Sequence, residues 1–208
     1  DARRIYEPPT VALFKDETMS AVFAAVAVGT GNRSRPLSMA TNDRFAVVFD
    51  YDVGKSNLLT TTTSALQATL DYSKLIKLDL TNDASTGKPV YTVDSMTGKY
   101  VPGTYGWYVE LTSGGEKSLS SGLIFLKKLL FTTYLPITAQ NNGCNLVAGE
   151  TDLYQMCMPY GTQCGDIEDR KVGKLMLGLG GEPQLIYQNT GEVNSEGTPT
   201  ATIGTLIS

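Results

Sequence analysis

A chain of 208 residues with 41% hydrophobic and only 18% charged residues can bury one substantial core, and its net charge of −4 argues against a nucleic-acid surface. Histidine is absent, which excludes a Ser-His-Asp triad and a mixed Cys/His zinc site and removes the commonest general base. The longest apolar run, residues 21–28, is strand-sized and falls far short of the ~20 residues of a membrane-spanning helix.

In chain order, two prolines, Pro8 and Pro9, precede an extended segment that enters a strand at residues 10–13, and residues 15–20 read as a polar hairpin turn. Residues 22–28 (VFAAVAV) are continuously apolar, the pattern of a strand buried on both faces. A loop over residues 29–36 follows, then Asn42-Asp43-Arg44 leads into an apolar strand at 45–49 and a turn at 50–55. Residues 58–70 are the least strand-like, with Ser64 placed to cap one or two helical turns. Residues 75–80 alternate, Ile76, Leu78 and Leu80 against Lys77 and Asp79, and a short strand is expected at 90–93.

The most informative stretch is residues 105–134. Trp107, Val109 and Leu111 share one face of an extended chain and Tyr108 and Glu110 the other, so Trp107 is expected in the core and Tyr108 outside. Ser113-Gly114-Gly115 breaks the strand, and Lys127-Lys128 marks a turn between two further strands. Strands are also expected at 152–158, ending at Pro159-Tyr160-Gly161, at 174–179 with Leu175, Leu177 and Leu179 alternating, and at 183–187 before a Gly/Asn/Thr/Ser-rich tail. Strands at roughly ten-residue spacing without long helices define an all-β sandwich, barrel or propeller.

Cys144, Cys157 and Cys164 lie in one window, which predicts a local disulfide and an exported protein, with one thiol left over. Cys157 and Cys164 flank a Pro-Tyr-Gly turn; Cys144 pairing with either is also open. Asp1 is not an initiator methionine, and the chain is expected to be a processed or excised piece of something longer. Gly29-Thr30-Gly31 lacks the third glycine of a dinucleotide loop, where Ser34 stands, and reads as a tight loop. Arg33 and Arg35 are expected to bond carbonyls or acids such as Asp43 and lock neighbouring strands. Gly54-Lys55-Ser56 fails as a P-loop because Phe49 occupies the glycine position five residues earlier. Asn32-Arg33-Ser34 matches the glycosylation sequon only by coincidence. Asp166, Glu168 and Asp169 beside Arg170 and Lys171 read as a solvated loop with local ion pairs.

Two blocks carry a resemblance. The run AAVAVGTGNRSRPLS…NDRFAVVFDYD (residues 24–52) resembles the C-terminal β-propeller domain of PilC/PilY-type type IV pilus proteins, in which a buried strand ends in a G-S/T-G-x-R loop followed by H/R-P-L and N-D-R-F. GWYVEL…GGEKSLSSGLIFLKKLLFTTYLP (residues 106–136) is similar to the same domain's G-W-Y-x-x-L, G-E-K/R and F-T-T-x-x-P elements. Arg3-Arg4-Ile5-Tyr6 upstream, and the cysteine loop and Leu153-Tyr154 downstream, match more loosely. The family-motif residues are Gly29, Gly31, Arg33, Asn42, Asp43, Arg44, Gly106, Trp107, Gly115 and Glu116, for which the resemblance implies structural roles.

It also implies four-stranded antiparallel propeller blades, roughly four in this length. The whole chain, 1–208, is then one all-β domain forming the C-terminal part of a larger propeller. No enzymatic activity, catalytic residue, metal or cofactor is expected here; the family's calcium loop lies upstream. Asp50-Tyr51-Asp52-Val53-Gly54, the nearest imitation, has glycine at the third ligand position and no glutamate at the twelfth. The implied role is pilus assembly, retraction control and adhesion at the bacterial surface, pilus tip or outer membrane. The partners would be minor pilins, a host or abiotic surface and the rest of the propeller, with no nucleic acid and no membrane insertion. The competing readings are a quinone-cofactor propeller dehydrogenase and a self-assembling surface or fibre subunit.

Overall fold

The computed structural model describes residues 3–53, 72–82, 84–137, 149–164, 170–193 and 199–207. The fold is all-β, and among the described residues its strand pairs are antiparallel apart from one short parallel pair. β1 (Thr10–Asp16), β2 (Ala21–Gly29), β3 (Arg44–Asp50), β4 (Ile76–Lys77) and β7 (Gly106–Glu110) form a five-stranded sheet in the order β1-β2-β3-β7-β4. β8 (Leu123–Phe125), β9 (Lys128–Leu135), β10 (Glu150–Cys157) and β11 (Lys171–Leu177) form a four-stranded sheet in the order β11-β10-β9-β8. β5 (Tyr91–Val93) pairs with β6 (Tyr100–Pro102), and β12 (Pro183–Val193) with β13 (Pro199–Ile207). The described strands thus give two blade-sized sheets and two hairpins, the architecture of a partial propeller.

Most element positions follow the alternation, and the departures have local causes. β1 runs on through Lys15 to Asp16, whose buried carboxylate accepts the backbone N–H groups of Thr18 and Met19 and so moves the turn to the residues beyond it. The hairpin turn falls on Leu126 and Lys127, both with positive φ (47° and 61°), and Lys128 already pairs with Phe125. The expected strand at 75–80 shrinks to Ile76–Lys77, parallel to β7. There the chain turns Leu78 into the core, and the Asp79 carboxylate holds the next turn through Thr81. β6 was not foreseen. The tail is a strand pair instead, because β13 is rich in Thr and Ile, residue types that suit a pleated surface. Leu175, Leu177 and Leu179 do not enter the core; they are exposed at 41%, 62% and 52%. Residues 58–70, with the Ser64 cap, and Gly54-Lys55-Ser56 lie outside the described residues.

The core sits between the two large sheets. Phe23, Phe45, Val47, Phe49, Trp107, Val109 and Leu111 meet Leu129, Phe131, Tyr154 and Met156 in one buried cluster. Phe45 stacks on Phe131 with ring centroids 3.8 Å apart, and Phe131 stacks on Tyr154 at 4.7 Å, so one aromatic column crosses from sheet to sheet. Full burial of such side chains contributes on the order of 2–3 kcal/mol each. Trp107 is fully buried, as its alternation with Val109 predicts, and its indole N–H donates to the Pro159 carbonyl at 2.8 Å. Tyr108 is half-buried on the opposite face.

Gly106 is fixed by this packing: its φ is +135°, and a Cβ there would lie 2.1 Å from the Val47 carbonyl oxygen. Gly106→Ala is therefore expected to cost about 2 kcal/mol or more in chemical denaturation. Gly98→Ala, at a positive φ (+65°) with open space around it, is the control and should cost only about 1 kcal/mol. Equal losses in the two variants would remove the packing explanation.

Candidate functional site

The residues shared by the two motif blocks converge on one seam between the large sheets. β2 ends in Gly29-Thr30-Gly31, and this loop lies flat against the segment 117–119 that leads toward β8. A Cβ on Gly29 would sit 2.2 Å from Ser118 Oγ, and one on Gly31 would sit 2.7 Å from the Ser118 carbonyl oxygen. Glycine is required for this close approach. Hydrogen bonds then stitch the seam: Ser118 N–H donates to Thr30 O at 3.0 Å, and Thr30 N–H donates to Arg44 O at 2.8 Å. Gly31 N–H donates to Arg4 O at 2.8 Å.

Asp43 is buried beside the loop and works through both its side chain and its backbone. Its Oδ1 accepts the Thr30 hydroxyl at 3.0 Å, and its carbonyl accepts Leu111 N–H at 3.0 Å. Thr30 Oγ1 in turn accepts Arg44 N–H at 2.9 Å. The Arg44 guanidinium lies over the edge-to-face pair of Tyr72 and Tyr108, 4.5 and 4.6 Å from their centroids, and donates to Glu110 at 2.8 Å. Lys77 binds the other oxygen of Glu110. The hydrogen bonds from Lys77 and then Arg44 hold the Glu110 carboxyl below the usual carboxylate range.

Glu116 and Lys117 carry the seam into the second sheet. Glu116 is 1% exposed, and its Oε1 accepts the hydroxyls of Thr133 at 2.6 Å and Tyr154 at 2.7 Å, with Lys171 Nζ at 3.4 Å. Lys171 also pairs with Asp152 at 2.7 Å. Burial, and the Glu116 carboxylate beside it, push the Tyr154 phenol well above its ordinary value. Lys117 is fully buried and donates to the carbonyls of Ser38 and Gly115. Burial pushes its ammonium pKa down, and the Asp43 carboxylate pulls it up. Gly115 has φ +85° and packs on Met39, where a Cβ would lie 2.9 Å from the Met39 Cα. These groups are bound to one another, an arrangement that fixes the geometry of two sheets.

Other expected residues fall outside this network. Arg33 pairs with Glu7 rather than Asp43, because the 29–36 loop folds back over the segment before β1. Asn42 takes part through its carbonyl, which accepts Arg3 Nε at 2.8 Å. Cys157 and Cys164 form a disulfide across a hairpin in which Cys157 and Thr162 exchange backbone bonds; Cys144 lies outside the described residues. So do Asp166, Glu168 and Asp169, while their basic neighbours reach partners far along the chain. Arg170 is buried and donates to the carbonyls of Asp79, Asn82 and Ser85, and Lys171 serves Glu116 and Asp152. Asp50 Oδ1 accepts the Asp52 backbone N–H at 2.8 Å. Among the described residues, no group of three or more His, Cys, Asp or Glu side chains is placed to hold a metal ion.

No family model matches the chain, and no curated protein matches it. A solved structure does: the crystal structure of the Pseudomonas aeruginosa PilY1 C-terminal domain superposes with a TM-score of 0.54 at 17% sequence identity. The fold is PilY1-like. The match covers 100% of this chain and 45% of that one, so the chain spans less than half the length of the PilY1 domain. Among the described residues no helix is long and apolar enough to cross a membrane.

Replacing Glu116 separates its bonding role from its volume. Glu116→Ala leaves the buried Tyr154 and Thr133 hydroxyls without their acceptor and is expected to cost about 3–5 kcal/mol in urea unfolding. Glu116→Gln keeps an acceptor oxygen and should cost clearly less. A loss below about 1 kcal/mol for the alanine variant would contradict the assigned role.

Proposed function

We propose that this chain is part of the β-propeller of an exported, pilus-associated protein that acts in type IV pilus assembly and retraction control and in surface adhesion. The observation that carries the reading is the likeness to the PilY1 C-terminal domain along the whole chain. The convergence of the two motif blocks on one seam supports it, since Gly29 and Gly31 of the first block pack on Lys117 and Ser118 of the second. The role is mechanical and recognitive rather than enzymatic. A stiff pair of sheets carries loops that meet minor pilins or a host or abiotic surface.

Further blades of the same propeller are the proposed cover for the exposed apolar strips. Val11, Leu13 and Val22 are exposed at 57%, 63% and 47% on β1 and β2, and Leu175 and Leu177 on β11. β1 and β11 are sheet-edge strands, and such edges invite pairing. The same edges favour a second reading, a subunit that assembles with copies of itself.

The test is deletion of the gene in the source organism, with surface pili counted by electron microscopy and adhesion measured. Fewer pili, weaker adhesion and co-purification of the intact protein with pilins are the expected outcome. Normal piliation and adhesion, with concentration-dependent polymerisation of the purified protein alone, would overturn it in favour of the self-assembling subunit.

A further inference from the structure

At the outer end of the seam a cleft of about 350 Å³ opens between the glycine loop, the segment before β1 and the turn before β3. Its walls include Arg4, Arg35 and Lys117, with Asp43 the single acidic residue among the described residues of the lining and the hydroxyls of Ser34 and Thr41 beside them. The concentration of positive charge is unusual in a chain of net charge −4.

The one carboxylate is already engaged. Asp43 is 1% exposed and accepts from Thr30 at 3.0 Å and from Thr41 at 3.4 Å. Lys117 is 0% exposed, and its ammonium donates to two carbonyls, Ser38 and Gly115, out of three available N–H groups. The Asp43 carboxylate offsets one of the three positive charges of Arg4, Arg35 and Lys117 in this lining, and an anion would offset the excess. The two arginines are exposed, and among the described residues neither has an ion pair; Arg4 makes only a 3.4 Å bond to the Tyr6 hydroxyl. Their neighbour Arg33, by contrast, is paired with Glu7. A guanidinium presents a planar donor fork that matches the oxygens of carboxylate, sulfate and phosphate groups.

We propose that this cleft binds an oxyanion, a carboxylate or a sulfate-type group carried on a small polar ligand, with Arg4 and Arg35 clamping it above the buried Lys117. The site is independent of the pilus reading. The ligand's remaining polar atoms meet the Ser34 and Thr41 hydroxyls.

Isothermal titration of the full chain with sodium sulfate and with sodium glucuronate, against sodium chloride at matched ionic strength, tests this. Saturable binding of at least one probe is expected. The variant carrying Arg4→Ala and Arg35→Ala should bind it about tenfold or more weakly with an unchanged melting temperature in the absence of ligand, because both side chains are exposed. Sulfate alone would identify a tetrahedral group as the ligand, glucuronate alone a carboxylate, and either supports the site. Binding of neither probe beyond chloride, or equal binding by the double variant, would overturn it.

Discussion

The structure depends on one close backbone approach, the contact of Gly29-Thr30-Gly31 with Lys117-Ser118-Leu119. With side chains at Gly29 or Gly31 the two segments would have to part, and the Ser118 to Thr30 hydrogen bond would go with them. The aromatic column from Phe45 through Phe131 to Tyr154 spans the same two sheets, and its 3.8 Å first step leaves no slack. Backbone proximity and core packing are therefore two expressions of a single sheet-to-sheet spacing.

Around that contact lies an unusual amount of buried polarity. Asp43, Glu116, Lys117 and Asp152 are all nearly inaccessible, and so, against the turn at residues 79–85, is Arg170. Burying such groups contributes little net stability compared with apolar replacements, whereas stranding any one of them is costly. We infer that their role here is specificity: the directional bonds of Asp43 and Glu116 define one relative placement of the sheets where apolar contacts alone would tolerate several. A rigid relative placement is what a scaffold presenting loops to a partner requires.

Much of the fold was legible in the sequence because the signal was local. Alternation placed Trp107, Val109 and Leu111 in the core, and the continuous apolar run became an interior strand, β2, between β1 and β3, though its expected burial on both faces stops short of Val22, which is exposed. The misses are places where a longer-range or turn-level term overrode the pattern. Leu175, Leu177 and Leu179 alternate but face outward, since alternation fixes only which residues share a face and not what covers it. Ile76 to Leu80 alternate too, yet the capped turn at Asp79 ends the strand early. The seam was legible in part: its glycines, Glu116 and Lys117 stood out by resemblance and Tyr154 more loosely, while Asp152 carried no signal and the burial of Lys117 none either, because a buried lysine and a solvated one look alike in sequence. Arg170 was assigned to a charged surface loop for the same reason.

The account's central claim is that the seam makes the two large sheets one cooperative unit, and native-state hydrogen exchange tests it most directly. Amides of β2 and β3 and those of β9 and β10 should open with the same free energy, and Gly29→Ala should lower both sets by the same amount. Opening of β9 and β10 at a different free energy, unaffected by Gly29→Ala, would show that the seam does not couple the sheets.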